Sequence, residues 1–128
     1  MARPTSEMLT DREAQIMQVL WAAGEATAEH VRRELPDDPH DSTVRTLLRV
    51  LQEKGYVETR GRHPAVYVPL VARQEAQRKA AARLIERLFG GSADALVLRL
   101  LENEQLTPQQ LDQLQKKYSS QRRKGGRS

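Results

Sequence analysis

Apolar residues in the first part of the chain recur every three or four positions, a spacing that places them on one side of a helix. The first such segment opens with a capping box, in which the Thr10 hydroxyl and the Glu13 carboxylate each accept a backbone N–H from the other residue. Its apolar positions are Ile16, Met17, Leu20 and Ala23, and Gly24 follows them. The second segment follows Thr27, and its apolar positions are Ala28, Val31 and Leu35, directly before Pro36. The pattern predicts two short helices that share a core.

A third helix is predicted from Ser42 to Gly55, after a connector whose two prolines cannot continue a helix. Its apolar side, at i, i+3, i+4 and i+7, consists of Val44, Leu47, Leu48 and Leu51. Asp41 or Ser42 is the natural N-cap, and Gly55 can end the helix in a left-handed conformation. We therefore expect a helix with one buried side and one solvent-exposed side.

Two runs of β-branched and aromatic residues come next, Tyr56–Arg60 and Ala65–Val68, on either side of Gly61-Arg62-His63-Pro64. Such runs around a turn with Gly and Pro predict a β-hairpin. Helix, helix, loop, helix and hairpin is the order of a winged helix-turn-helix. The sequence predicts a mainly α fold with a small β-hairpin wing. Residues 1–71 form the winged helix-turn-helix, and a helical dimerisation region follows it.

The polar side of the third predicted helix carries hydroxyl and guanidinium groups, which can hydrogen-bond base edges and phosphates in a DNA major groove. These residues are Ser42, Thr43, Arg45, Thr46 and Arg49, with Glu53 the only acid near them. The predicted wing adds Arg60, Arg62 and His63. Thr10 and Thr27 begin helices whose first N–H groups could also bind phosphates. The sequence thus predicts double-stranded DNA as the partner.

The distribution of charge agrees with a local docking surface rather than with a uniformly basic protein. Residues 1–41 contain four Lys or Arg and nine Asp or Glu, whereas residues 42–63 contain five and two. Phosphate binding depends on local potential, so the net charge of +4 is less informative than this asymmetry. Two alternatives stay open, an ordinary exposed helix side and a winged-helix module that binds another protein. The acidic first two helices are the best support for the protein-binding alternative.

Residues 72–118 predict three further helices rich in Leu and Ala: 72–89 before Gly90-Gly91, 93–102 after the N-cap Ser92, and one that starts at Thr107-Pro108. A helix that is apolar on most sides must be enclosed. Three such helices have little core of their own, so we predict a twofold homodimer. The alternative is a monomeric helical tail folded back on the winged helix. The predicted dimerisation residues are Leu84, Leu88, Leu96, Val97, Leu100, Leu101, Leu111, Leu114 and Tyr118.

The basic segment 119–128 has no apolar residue and is predicted to be disordered. Two roles are open for it, weak contact with DNA and solubility. The 128-residue chain has no cysteine, no apolar run of roughly 20 residues and no signal-peptide pattern at its start. We therefore predict a cytoplasmic protein without membrane insertion.

One cluster of residues is of the type used in acid–base or metal sites: Asp37, Asp38, His40 and Asp41. All four lie in one short loop with Pro36 and Pro39, and no matching group of His or carboxylates occurs elsewhere. Oxygen-rich loops before helices are usually solvated caps. The sequence also lacks a phosphate-binding glycine loop and a nucleophile elbow. We predict no catalytic residue, no metal and no cofactor.

Several motifs resemble those of the penicillinase repressor family, the BlaI/MecI transcriptional regulators. They are Leu9–Glu13 with Ile16-Met17 and Leu20-Trp21, Ser42–Leu48 with Leu51 and Glu53–Tyr56, Tyr67–Val71, and Leu88–Ser92. The resemblance extends from about Glu7 to Tyr118. It implies a homodimeric repressor that binds an inverted-repeat operator and controls β-lactam-resistance or related stress genes. The absence of cysteine argues against the copper-responsive branch of the family.

The resemblance also implies a way to release the repressor. In the best-known members a membrane sensor metalloprotease responds to β-lactam, and the repressor is cut at an Asn-Phe pair in its dimerisation helices. The corresponding pair in this chain is Arg99-Leu100. Release is therefore expected from a protease of different specificity or from another signal.

Overall fold

The computed structural model describes the backbone of residues 8–125 and the side chains of residues 8–123. This part of the chain forms six helices and a three-stranded antiparallel sheet. In chain order the elements are α1 (Asp11–Ala23), β1 (Ala26–Thr27), α2 (Ala28–Glu34), α3 (Asp41–Glu53), β2 (Val57–Arg60), β3 (Val66–Pro69), α4 (Arg73–Leu88), α5 (Ala93–Glu102) and α6 (Pro108–Gly125). The predicted fold class, a winged helix-turn-helix followed by helices, is confirmed.

The hydrophobic core of the winged helix lies between α1, α2, α3 and the sheet. The predicted apolar sides of the three helices point into it except at Ala23, which is exposed. The fully buried residues are Ile16, Met17, Leu20, Val31, Val44, Leu48, Leu51 and Val57. Trp21 lies at the edge of this core, where its Nε1–H donates to the backbone oxygen of Val71 at 2.8 Å. The indole thereby ties α1 to the residue that follows the wing.

Caps and glycines fix the helix ends close to the predicted positions. The Thr10 hydroxyl accepts the Glu13 N–H at 3.2 Å, and the Glu13 carboxylate accepts the Thr10 N–H at 2.9 Å, so the predicted capping box is present. The Thr27 hydroxyl accepts the His30 N–H at the start of α2. Gly55 has φ +87°, the left-handed conformation expected of a glycine after α3.

The sheet contains a strand that the sequence analysis did not predict. Its order is β1-β3-β2, with Thr27 opposite Val66 and Thr59 opposite Tyr67. β1 has only two residues, so it carries no alternation from which a strand could be predicted. Because β3 is the central strand, the wing is hydrogen-bonded to the segment that leads into α2.

The start of α3 differs from the expected cap. The helix begins at Asp41, and the N-cap is His40, which makes no side-chain cap hydrogen bond. The Asp41 carboxylate instead accepts from Arg45 one turn along the helix. The expectation that Asp41 or Ser42 is the N-cap is therefore wrong.

The chain divides into two compact units between Ala80 and Ala81, within α4. In the second unit, the Ser92 hydroxyl caps α5 by accepting the Ala95 N–H at 3.1 Å. Thr107 and Gln110 exchange hydrogen bonds at the start of α6. Among the described side chains of this unit, none is buried.

The predicted disorder of segment 119–128 is wrong for residues 119–125, because α6 continues to Gly125. Arg, Lys and Gln are good helix formers, and each added residue extends a helix that Thr107 has already started. Arg122 also donates to the Tyr118 hydroxyl at 3.1 Å and lies over the Tyr118 ring. Residues 126–128 lie outside the described part of the chain.

Candidate nucleic-acid interface

The outer side of α3 presents the five polar residues that the sequence predicted to contact DNA. Ser42, Thr43, Arg45, Thr46 and Arg49 are all exposed, whereas Val44, Leu48 and Leu51 on the opposite side are fully buried. The two sides follow from the 3.6-residue period of the helix. The core thus fixes which side chains of α3 can reach a partner.

A groove connects α3 with the wing and with the start of α2. It is lined by Thr27, Ala28, Glu29, Arg45, Arg62, His63, Pro64 and Ala65, and its volume is about 480 Å³. Four of the predicted DNA-contacting residues, Thr27, Arg45, Arg62 and His63, meet in this groove. The other predicted DNA-contacting residues lie outside the groove. Those of α3 lie on its exposed side, Arg60 lies at the end of β2, and Thr10 is the N-cap of α1. The structure thereby brings the wing tip and α3 to one concave surface.

Three of the arginines predicted to contact DNA form ion pairs with carboxylates on their own helix or strand. Arg45 Nε lies 2.8 Å from Asp41 Oδ2, and Arg49 Nη1 lies 3.5 Å from Glu53 Oε2. In the wing, Arg60 Nη2 lies 2.8 Å from Glu58 Oε2. The hydrogen bond to Asp41 raises the pKa of Arg45 above its ordinary value. The sequence predicted that Glu53 is the only acid near the polar side of α3. This prediction is wrong, because Asp41 also lies there.

Arg62 differs from these three arginines. It is exposed and has no carboxylate partner among the described residues. It lines the groove together with His63, which is also exposed. An arginine without an intramolecular partner can contact a phosphate without first breaking an ion pair.

The loop between α2 and α3 is held by two arginines. Arg12 Nη1 donates to Asp37 at 2.8 Å, and Arg32 Nη1 donates to Asp38 at 2.6 Å. The hydrogen bond from Arg12 lowers the pKa of Asp37, and a hydrogen bond from Arg32 lowers the pKa of Glu29. The carboxylates that resembled a metal or acid–base cluster therefore bind separate arginines. Among the described residues, no group of three or more His, Asp or Glu is placed to hold a metal ion.

Sequence reasoning missed a buried ion pair behind α3. Lys54 Nζ lies 2.7 Å from Glu13 Oε1, and the two side chains are 15% and 4% exposed. Burial by itself raises the pKa of Glu13, but hydrogen bonds from Lys54 and from the Thr10 N–H outweigh it, so the pKa lies below its usual value. Glu13 precedes Ile16 and Met17 at helical spacing, and this position on the apolar side of α1 is the signal that could have revealed its burial. The pair links the start of α1 to the end of α3.

The predicted dimerisation residues lie in α4, α5 and α6 and remain accessible in the single chain. Leu84, Leu88, Leu114 and Tyr118 are exposed, and Leu88 is the most accessible at 74%. The others are half-buried: Leu96, Val97, Leu100, Leu101 and Leu111. None of the helices in the described part of the chain is long and apolar enough to cross a membrane.

Comparison with known proteins gives consistent matches along most of the chain. Residues 9–120 match the family model of the penicillinase repressor. The methicillin resistance regulatory protein MecI of Staphylococcus aureus is 25% identical over 109 residues, which cover 83% of this chain and 89% of that protein. The penicillinase repressor of Bacillus licheniformis is 27% identical over 110 residues, covering 83% of this chain and 85% of the relative. An uncharacterised 16.5 kDa protein of Latilactobacillus sakei is 31% identical over 123 residues, covering 90% and 80%.

Proposed function

Since this chain belongs to the penicillinase repressor family, it is a DNA-binding transcriptional repressor and not an enzyme, and we propose that it acts as a homodimer on an inverted-repeat operator. Each protomer places α3 in a major groove, with Ser42, Thr43, Arg45, Thr46 and Arg49 nearest the bases and phosphates. The twofold axis of the dimer requires half-sites about one helical turn apart or a multiple of it.

The observation that carries this proposal is the groove shared by α3, the wing and the start of α2. Because Arg45, Arg62 and His63 line one concave surface, a duplex that receives α3 also meets the wing. In the proposed complex Arg60, Arg62 and His63 hold the wing on the phosphate backbone. The hydroxyls of Thr10 and Thr27 are occupied as caps, so the contribution of these positions comes from the first N–H groups of α1 and α2.

Dimerisation is supported by the accessible apolar residues of the second unit. Its described part buries no side chain, yet it exposes Leu84, Leu88, Leu114 and Tyr118. A soluble helical unit with this composition becomes stable when a second copy covers it. Two linked half-site contacts then strengthen operator binding by about 10²–10⁴-fold over one.

The names of the relatives suggest the genes under control. One is a methicillin resistance regulatory protein and another a penicillinase repressor, so we extend to this chain the control of β-lactam-resistance or related stress genes. Repression then results from a dimer that blocks polymerase at the promoter. Release occurs by a change in the second unit, either cleavage by a membrane sensor metalloprotease that accepts a sequence around Arg99-Leu100 or another signal.

Two measurements test the proposal. Selection from a pool of random duplexes should enrich an inverted repeat, and a gel shift should show one complex of dimer stoichiometry. In sedimentation velocity, Leu88→Lys with Leu114→Lys should convert the dimer to a monomer, because both side chains are accessible in the single chain. Leu70→Lys is the matched control, since Leu70 is as exposed as Leu114 (51%) but lies in the first unit. A monomeric wild type, or selection without an inverted repeat, contradicts the proposal.

A further inference from the structure

Three of the four arginines of the proposed interface are held in ion pairs and are not free to meet DNA as they stand. Arg45, Arg49 and Arg60 each lie within 2.8–3.5 Å of a carboxylate on their own helix or strand. All six side chains are accessible to solvent, between 43% and 65%. Asp41, Glu53 and Glu58 thus offset three of the four arginine charges, and Glu29 adds a further carboxylate to the groove. These acids reduce the attraction of the surface for phosphates.

Helix stability does not explain the acid at the end of α3. Glu53 is the last residue of the helix, where a negative charge opposes the helix dipole, and the last turn contains no basic residue that would balance it. The order of the pair, Arg49 before Glu53, is also the weaker orientation for an i, i+4 ion pair. Asp41, in contrast, has the favourable position and order for stabilising α3. Glu53 is therefore the most informative of the three carboxylates.

Resting on the function proposed above, we propose that Asp41 and Glu53 are specificity-determining residues, which hold Arg45 and Arg49 in ion pairs that must be exchanged for contacts with DNA. Glu58 holds Arg60 of the wing in the same way and weakens its contact with any duplex. On non-operator DNA the exchange gains only phosphate contacts, and the displaced carboxylates lie near the phosphates and are repelled by them. On the operator the released guanidiniums of Arg45 and Arg49 gain directional bonds to base edges, above all to guanine, whereas Arg60 gains a phosphate contact on either duplex. The carboxylates of α3 therefore weaken non-operator binding more than operator binding.

Arg62 differs from the paired arginines in how it reaches a phosphate. Having no carboxylate partner among the described residues, it contacts phosphate without an exchange. Its contribution is the same on every sequence. The wing thus provides sequence-independent attraction, and the two paired arginines of α3 provide discrimination.

The test uses the full-length chain with Asp41→Asn, Glu53→Gln, Glu58→Gln and the triple variant. Glu75→Gln is the matched control, because Glu75 and Lys79 form an i, i+4 pair at 3.5 Å like that of Glu53 and Arg49, but on α4. Affinity is measured by fluorescence anisotropy across a salt series. The probes are the duplex selected by the wild-type protein and a scrambled duplex of the same length and composition.

Each single variant should tighten binding to the scrambled duplex about 2- to 5-fold, the range expected from an exposed ion pair, and the triple variant about 10- to 100-fold. In Asp41→Asn, Glu53→Gln and the triple variant, binding to the selected duplex should gain less, so the specificity ratio falls. Glu58→Gln should gain equally on both duplexes, because Arg60 contacts phosphate. The salt dependence on the scrambled duplex should steepen by up to about 0.9 in the log–log slope for each arginine released. Glu75→Gln should leave the ratio unchanged.

Three results in the α3 variants Asp41→Asn and Glu53→Gln overturn the inference: equal gains on both duplexes, no gain on either, or loss of preference at one base pair, which would mean a direct contact from the carboxylate to a base. Asp41→Asn also removes a stabilising acid from the first turn of α3. Glu53→Gln separates the two effects, because removing a negative charge from the last turn does not destabilise the helix. Failure of the proposed function is seen separately, as a wild-type protein that selects no duplex at all.

Discussion

The buried Glu13–Lys54 pair provides the sharpest test of how α3 is held in place. Both donors to Glu13, the Lys54 ammonium and the Thr10 N–H, bond to Oε1. Glu13→Gln therefore keeps an oxygen at the same place and retains the capping box, while it removes the charge. Lys54→Met keeps the aliphatic stem and removes the ammonium. The two variants and their combination form a double-mutant cycle.

The magnitudes follow from the burial of the two groups. Lys54→Met leaves Glu13, 4% exposed, without its counter-ion, and the expected loss is about 3 kcal/mol, the lower end for breaking a buried pair because Lys54 is 15% exposed. Glu13→Gln removes the carboxylate charge and leaves the Lys54 ammonium donating to a neutral amide oxygen, which should cost about 1–2 kcal/mol. The double variant should cost less than the sum of the two, with a coupling of about 1–2 kcal/mol.

Unfolding can be followed through Trp21, the only tryptophan of the chain. Its bond to Val71 and its place at the edge of the core make its fluorescence sensitive to loss of the winged helix. For a unit of this size, 3 kcal/mol corresponds to a fall in Tm of about 12–24 °C. Protein concentration is held constant because dimerisation also contributes to stability. Strict additivity, or a loss below about 1 kcal/mol in Lys54→Met, would refute the stabilising role.

The pH dependence gives an independent check. The pKa of Glu13 is lower in the folded protein than in the unfolded chain, where it is about 4.3. Its contribution to stability is therefore present above that unfolded value and is lost as the pH falls through the lower folded value. Glu13→Gln should flatten this part of the stability profile. A profile identical to that of the wild type would show that the lowered pKa of Glu13 contributes nothing to acid sensitivity.

Three further substitutions test other parts of the molecule. Arg45→Ala should weaken operator binding by about 1–3 kcal/mol and relax preference at one base, and unchanged binding by a folded variant would contradict the orientation of α3. Arg62→Ala should weaken all duplexes alike and reduce the salt slope by about 1, as seen in an anisotropy titration at several salt concentrations. Leu48→Ala, at a fully buried site, should lower the unfolding free energy by about 2–5 kcal/mol in urea, and a loss below 1 kcal/mol would contradict its place in the core.

The sequence was most informative where one physical rule acts alone. Periodicity predicted the buried sides of α1, α2 and α3, and capping preferences predicted Thr10 and Thr27, because each of these signals is local. Asp41 was misinterpreted because a carboxylate before a helix is equally suited to capping and to pairing with a basic residue one turn later. The end of α6 was misinterpreted because a polar basic segment has the composition of a disordered tail and also good helix propensity.

The other features that the sequence did not predict depend on contacts between residues distant in the chain. The pairing of β1 with β3 joins Thr27 to Val66, and nothing in either short segment predicts the other. The groove likewise needs three elements to be placed before its lining residues can be known. The sequence could therefore provide the candidate residues of α3 and the wing, but not the groove in which they meet.

The central position of β3 in the sheet bears on how relatives of this protein can diverge. Residues of β3 hydrogen-bond to β1 on one side and to β2 on the other, whereas the turn at 61–65 pairs with neither strand. A shift of register in β3 would disturb both ladders at once and turn its side chains to the opposite face. Changes at Arg62 or His63 alter the charge of the wing and leave both ladders intact, whereas Gly61, at φ +72°, does not readily accept a side chain. Variation in the wing tip can therefore change the affinity for DNA without a compensating change in the core.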